Sequence, residues 1–273
     1  SPGQQYNFSS GEVYGGQLNF SFADSVGMYE VYVEHNQFVM SNVTIGSPDT
    51  FENLFIVNNT FVGDPIAPEA DTVGLQPAVF FDTRRNTDDD NTTHVLITNN
   101  TFNDSVWGVI LLSESAGIND TTFVGNSFNN PNFALQAGLS LDGFFNYVDF
   151  DSNTFTGAVP EECWSASYAE SCSYSCVAFS GSICLSGETT STGIMWSARG
   201  NSITATGGFD SQGNLTLYDN AISTYPNGGD LQSSAGSMII SHNTTFNRSQ
   251  ISTNGGEIKV FWDATINVSS SGT

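Results

Sequence analysis

Basic side chains are almost missing from this 273-residue chain: Arg84, Arg85, Arg199, Arg248 and Lys259 stand against 28 Asp and Glu, a formal net charge of −23. So acidic a surface repels phosphate, which makes nucleic acid and anionic membranes poor partners. No apolar run reaches 18 residues, so the sequence contains no membrane-spanning helix. Helical periodicity is equally scarce. No useful length of chain repeats apolar residues three and four apart, which leaves strands as the building material.

What the chain has instead is a short phrase repeated eight times. Asparagine anchors each copy, at Asn36, Asn59, Asn100, Asn126, Asn153, Asn201, Asn220 and Asn243. Five residues before them stand Val31, Leu54, Val95, Thr121, Val148, Trp196, Leu215 and Met238, and three before them Val33, Ile56, Ile97, Phe123, Phe150, Ala198, Leu217 and Ile240. Two after them stand Phe38, Phe61, Phe102, Phe128, Phe155, Ile203, Ile222 and, one place late, Phe246. An apolar period of two marks inward positions of a strand. The residues just before the asparagines (His35, Asn58, Asn99, Gly125, Ser152, Gly200, Asp219 and His242) favour types that tolerate a left-handed turn. Each copy therefore reads as strand, sharp bend, strand.

The intervals between the asparagines are 23, 41, 26, 27, 48, 19 and 23 residues, too short for a strand and helix each time. Second strands fit between copies at 108–111, 138–141 and 256–260. A coil of this length cannot bury its apolar side alone, whereas stacked coils share one core. Stacking at the strand spacing of ~4.8 Å would place each asparagine amide on the next. The fold expected is all-β, a parallel β-helix of about ten coils with an inward Asn ladder.

The phrase resembles the repeat of the right-handed parallel β-helix, or pectin-lyase-like, superfamily over residues 30–262. That resemblance implies a right-handed winding and an internal aromatic stack. It does not choose a function, since the superfamily holds lyases, hydrolases, epimerases, tailspikes, adhesins and structural proteins. Within one elongated domain, residues 1–29 read as an irregular first coil or cap and 30–268 as the β-helix. Loop insertions fall at about 62–77 and 157–193, and 269–273 reads as a linker-like tail. Residues 257–268 alternate well enough for one more strand, or for a strand donated to a neighbour.

Twelve Asn-x-Ser/Thr acceptor sites occur among 27 asparagines, about twice the number chance would place. They point to N-glycosylation and a secreted protein. The candidates are Asn7, Asn19, Asn42, Asn58, Asn91, Asn99, Asn103, Asn119, Asn214, Asn247 and Asn267; Asn243 is set aside as an inward ladder residue. Cys163, Cys172, Cys176 and Cys184 crowd into one stretch, which in an oxidising compartment reads as two disulfides bracing the longest insertion. Their spacings of 8, 3 and 7 intervening residues lack the close pair of a zinc site, and no histidine is nearby.

Catalytic signatures are not evident. Asp82, Arg84, Arg85 and Asp88 to Asp90 could hold calcium or a uronate, but a solvated acidic turn explains them as well. Asp149 and Asp151 alternate on an outward face, as acids on any wet strand do, instead of forming the paired carboxylates of a glycosidase. His35 and His242 fall at the turn position and His94 merely precedes a strand. Exposed Tyr29, Tyr32, Tyr218, Tyr225 and Trp262 could stack on sugars or on a neighbouring subunit. The expectation is a secreted structural or adhesive protein that self-associates head to tail, without metal or cofactor. A polysaccharide-active enzyme and a glycan-binding adhesin are the alternatives.

Overall fold

In a computed structural model the chain is all-β, and its strands pair in parallel within three long sheets. The structure describes residues 4–20, 29–46, 51–63, 78–82, 92–103, 107–112, 118–130, 137–142, 145–157, 183–185, 196–205, 208–211, 213–224 and 229–263. The first sheet has ten strands, in the order β1 (Gln4–Ser9), β4 (Tyr29–Glu34), β7 (Phe51–Val57), β10 (Thr92–Thr98), β13 (Ile118–Val124), β16 (Phe145–Asp151), β19 (Trp196–Arg199), β22 (Leu215–Tyr218), β25 (Met238–His242) and β27 (Glu257–Phe261). The second has eight: β2 (Glu12–Tyr14), β5 (Gln37–Val39), β8 (Thr60–Val62), β11 (Thr101–Asn103), β14 (Ser127–Asn130), β17 (Thr154–Gly157), β20 (Ser202–Ala205) and β23 (Ala221–Thr224). The third has nine: β3 (Gln17–Phe20), β6 (Asn42–Gly46), β9 (Val79–Asp82), β12 (Trp107–Leu112), β15 (Ala137–Asp142), β18 (Ile183–Leu185), β21 (Phe209–Ser211), β24 (Leu231–Ser234) and β26 (Ile251–Asn254). Strands adjacent in sequence lie in different sheets and strands three apart pair, so the backbone winds instead of doubling back. That arrangement fits a β-helix.

The core runs along the axis because register is kept from strand to strand. Val31, Leu54, Val95, Val148, Trp196, Leu215 and Ile239 are buried in one inward column of the first sheet, and Val33, Ile56, Ile97, Phe123, Phe150, Ala198 and Leu217 in the next. In the second sheet Phe38, Phe61, Phe102, Phe128 and Phe155 stack with ring centroids 4.7, 4.9, 4.6 and 4.6 Å apart, and Ile203 and Ile222 continue the column. Burying such a side chain is worth about 1.5–3 kcal/mol, so the column is a principal source of stability.

Between first and second sheets the chain turns through a left-handed residue: His35, Asn58, Asn99, Gly125, Ser152, Gly200, Asp219 and Asn243 have φ between 49° and 63°. The corner is sharp enough to send the next side chain inward. Asn36, Asn59, Asn100, Asn126, Asn153, Asn201 and Asn220 are all buried at that position. At the other end of the stack Gly11 stands in the same column and donates its N–H to Asn36 Oδ1 at 2.8 Å. A Cβ on Gly11 would lie 2.9 Å from Phe8 Cζ, because the Phe8 ring occupies the space a side chain there would need.

The last coil differs from the sequence reading by one residue. Leu215 pairs with Ile239 and Leu217 with Ser241, so Ile239 and Ser241 point inward, not Met238 and Ile240. Asn243 is therefore not a ladder residue; it takes the left-handed corner, and Thr244 is buried in its place. His242, expected at the corner, ends strand β25 instead. Asparagine, like His35 in an earlier corner, accepts positive φ, so the bend can move on by one residue. The shift also brings Phe246 to the regular two places after the buried residue, partly buried against the core. β27, expected as a second strand, pairs with β25 and closes the first sheet.

Candidate functional site

The most completely built polar constellation is internal. Each buried asparagine bonds in both directions: Asn59 Nδ2 donates to Val33 O at 2.7 Å and to Asn100 Oδ1 at 3.0 Å, and Asn59 N donates to the same Oδ1 at 2.9 Å. Asn100 repeats the pattern with Ile56 O at 2.7 Å and Asn126 Oδ1 at 3.0 Å, and Asn126 with Ile97 O at 2.8 Å and Asn153 Oδ1 at 2.9 Å. Asn153 and Asn201 carry it on to Asn220. The column ends on a weaker contact, with Asn220 N and Nδ2 reaching Thr244 Oγ1 at 3.4 and 3.5 Å. These amides are sealed from solvent and satisfied by one another. Their chemistry is to hold coils in register, not to meet a substrate.

Function that requires contact must lie on the outer faces, of which the first sheet's is the best furnished among the described residues. One column brings together Asn53 Nδ2 and Glu30 Oε1 at 3.1 Å, then His94 Nδ1 and Asp120 Oδ2 at 3.1 Å, with exposed Tyr147 beside Asp120 in register. Both partners of the His94–Asp120 pair are about half exposed, so solvent screens it and it adds little to stability. In the next column Tyr32 stacks on Phe55 with centroids 4.5 Å apart, and burial, with Glu30 second, pushes the Tyr32 hydroxyl above its usual range. Asp149 accepts a hydrogen bond from Ser197 Oγ at 2.5 Å, and Asp151 one from Ser152 Oγ at 2.7 Å. Asp149 is exposed and Asp151 partly so.

Toward the end of the same face Arg199 lies 5.2 Å from the Tyr218 ring, Tyr218 stacks on His242 at 5.1 Å, and His242 on Phe261 at 5.0 Å. The rings meet nearly face to face, 10° and 16° from parallel. The facing sides of these rings are thus occupied by one another, while Phe261, last in the column, stays about half exposed. The sequence reading missed this column because it set His242 at the corner; the one available signal was the late Phe246.

The acceptor asparagines divide by exposure. Asn7, Asn19, Asn58, Asn99 and Asn247 are exposed, while Asn103, Asn214 and Asn243 are partly buried. Asn42, expected among the acceptors, is only 9% exposed at the start of β6. Asn58 lies 3.2 Å from the His35 ring through its Nδ2, and Asn243 exchanges two hydrogen bonds with Asp263, at 2.6 and 2.7 Å. Asn247 Oδ1 accepts from Ser249 N at 3.1 Å and Ser249 Oγ at 2.9 Å, a turn closed within its own acceptor motif. Asn91 and Asn267 lie outside the described residues, as does the side chain of Asn119. So do Cys163, Cys172 and Cys176, the side chains of Cys184 and Asp82, and the segment holding Arg84, Arg85 and Asp88 to Asp90. Among the described residues no three His, Cys, Asp or Glu side chains come together as metal ligands. Compared with known proteins, the chain matches no family model, no curated protein and no solved structure.

Proposed function

We propose that this chain is a secreted, N-glycosylated β-helix of the right-handed pectin-lyase-like type, serving as a structural or adhesive subunit of an extracellular fibre or surface coat. The observation that supports it is the unbroken internal column: buried amides bonded from Asn36 to Asn220 beside stacked phenylalanines. A molecule cross-braced along its whole axis resists bending, which suits a rod. About ten coils at the strand spacing give a rod ~45–50 Å long. Copies joined head to tail would extend it. The exposed acceptors at Asn58 and Asn99 sit on left-handed corners, where a glycan would project away from the sheets.

The test is native imaging of the secreted protein, with its mass measured before and after removal of N-glycans. Filaments or end-to-end oligomers together with a mass loss are expected. Particles that stay single at high concentration, or turnover of pectin or alginate, would overturn the structural role; an unchanged mass would overturn the glycoprotein.

A further inference from the structure

Charge is unevenly spread over the outer faces. In a chain of net charge −23 the first sheet's outer face holds Glu30, Asp120, Asp149 and Arg199, and the third's holds Asp210. In the second sheet, from β5 to β23, the residues flanking the inward phenylalanines and isoleucines are all uncharged and none is aromatic. One outward row runs through Thr60, Thr101, Ser127, Thr154 and Ser202, and the other ends in Thr156, Thr204 and Ser223. Every strand from β8 to β23 thus turns a hydroxyl outward, and from Thr154 onward these residues are exposed. The face is also flat. Neighbouring strands of an ordinary sheet are rotated by about 20–25°, whereas side-chain ladders can hold a sheet untwisted. The phenylalanine rings beneath this face turn by only 6°, 5°, 6° and 2° from Phe38 to Phe155. The outward rows therefore form a planar net that repeats at ~4.8 Å along the axis and ~6.6 Å along each strand.

We propose that this outer face of the second sheet binds ice. Threonine sets a hydroxyl that bonds water beside a methyl group over which water orders, and a planar net of such residues fixes where those waters sit. Hexagonal ice exposes planes of oxygens whose short repeat is close to the strand spacing. Waters held by successive strands therefore lie near lattice sites before the crystal arrives, and that preorganisation lowers the cost of joining it. The array is densest at β17 and β20, where Thr154, Thr156, Ser202 and Thr204 put two hydroxyls on each strand. Toward β5 the second row changes to Val39 and Val62, which keep the methyls alone. The same composition disfavours other solids. An ionic mineral needs charged side chains to match its own, and a crystalline polysaccharide needs exposed rings to stack on. Asn103, an acceptor candidate, lies in the second row, so ice binding requires that it carry no glycan.

The experiment is the growth of a single ice crystal in a solution of the full chain, cooled slowly below the melting point. Faceted crystals, a gap between melting and growth temperatures and uptake of the protein into ice are expected. Thr156→Tyr, which raises a ring above the net, and Thr204→Lys, which sets a charge in it, should each abolish the gap. Neither residue belongs to an acceptor motif, so glycosylation is unchanged. Thr122→Tyr, a like change on the outer face of the first sheet, should leave the gap intact. Round crystals that grow at the melting point, an undiminished gap in both face variants, or a glycan found on Asn103 by peptide mapping would overturn the proposal. Retention on cellulose or chitin without uptake into ice would replace it with a polysaccharide site. Should the variants fail to fold, uptake of the wild-type chain into ice decides alone.

Discussion

The coils from Asn36 to Asn153 and those from Asn201 onward use the same corner but fill it differently. In the earlier coils phenylalanine follows each buried asparagine and the rings stack at 4.6–4.9 Å. Beyond Phe155 the column changes to Ile203 and Ile222, and the coil that makes the change carries Trp196, fully buried, at a position held by valine or leucine in most neighbours. Volume lost at Ile203 is accompanied by volume gained at Trp196, whose ring fills the space beside Gly213. The amide column weakens in the same direction, from 2.9–3.0 Å between asparagines to 3.4 and 3.5 Å at Thr244. A repeat conserves the space inside the coil and the corner that shapes it, more than any one residue.

If the earlier coils depend on paired amides, removing one should cost the most. Asn100→Ala would leave Asn59 N and one Asn59 Nδ2 hydrogen without their acceptor, both buried, and would take from Ile56 O its side-chain donor. At about 1–3 kcal/mol for each orphaned group, the expected loss is about 4 kcal/mol. Urea denaturation would measure it, and a loss below about 1 kcal/mol would mean that packing, not the amides, sets the register.

A smaller effect tests the volume argument. Ile203→Phe would extend the phenylalanine column by one ring into the coil that already holds Trp196. Overpacking should destabilise by about 2 kcal/mol. The same change combined with Trp196→Leu should recover most of that, which a double-mutant cycle would read. Recovery confined to neither single change would show the two residues sharing one space.

These contrasts also show what the sequence could and could not reveal. The earlier coils were legible because their inward residues are apolar, their outward ones polar and their corners occupied by residues that accept positive φ. The last coil was not, because Met238, Ile239 and Ile240 are all apolar and period two cannot choose among them. Its inward Ser241 and Thr244 look like surface residues, and Ser241 Oγ is left buried without a partner. The outer faces were less legible still. Contacts such as Arg199 on Tyr218 or His94 with Asp120 join residues 19 and 26 apart, and only the register of the sheet brings them together. The exposure of Asn58 follows from its corner, whereas the burial of Asn42 depends on what the rest of the chain lays against it.

The gentlest change asks whether the last coil is weak because of its residue or its geometry. In each earlier coil the asparagine amide donates to the carbonyl three residues before the preceding column member, as Asn201 Nδ2 does to Phe150 O and Asn220 Nδ2 to Ala198 O, both at 2.9 Å. By that rule an asparagine at 244 would reach Leu217 O, and its Oδ1 would shorten the two long contacts from Asn220. Thr244→Asn should therefore stabilise the protein by about 1 kcal/mol and raise Tm by roughly 2–4 °C. The acceptor motif at Asn243 survives, since Thr245 is unchanged, so glycosylation would not confuse the comparison. A fall in Tm instead would mean that the backbone of this coil stands too far from its neighbour for any amide to bridge. The threonine would then be an accommodation to the gap, and not its cause.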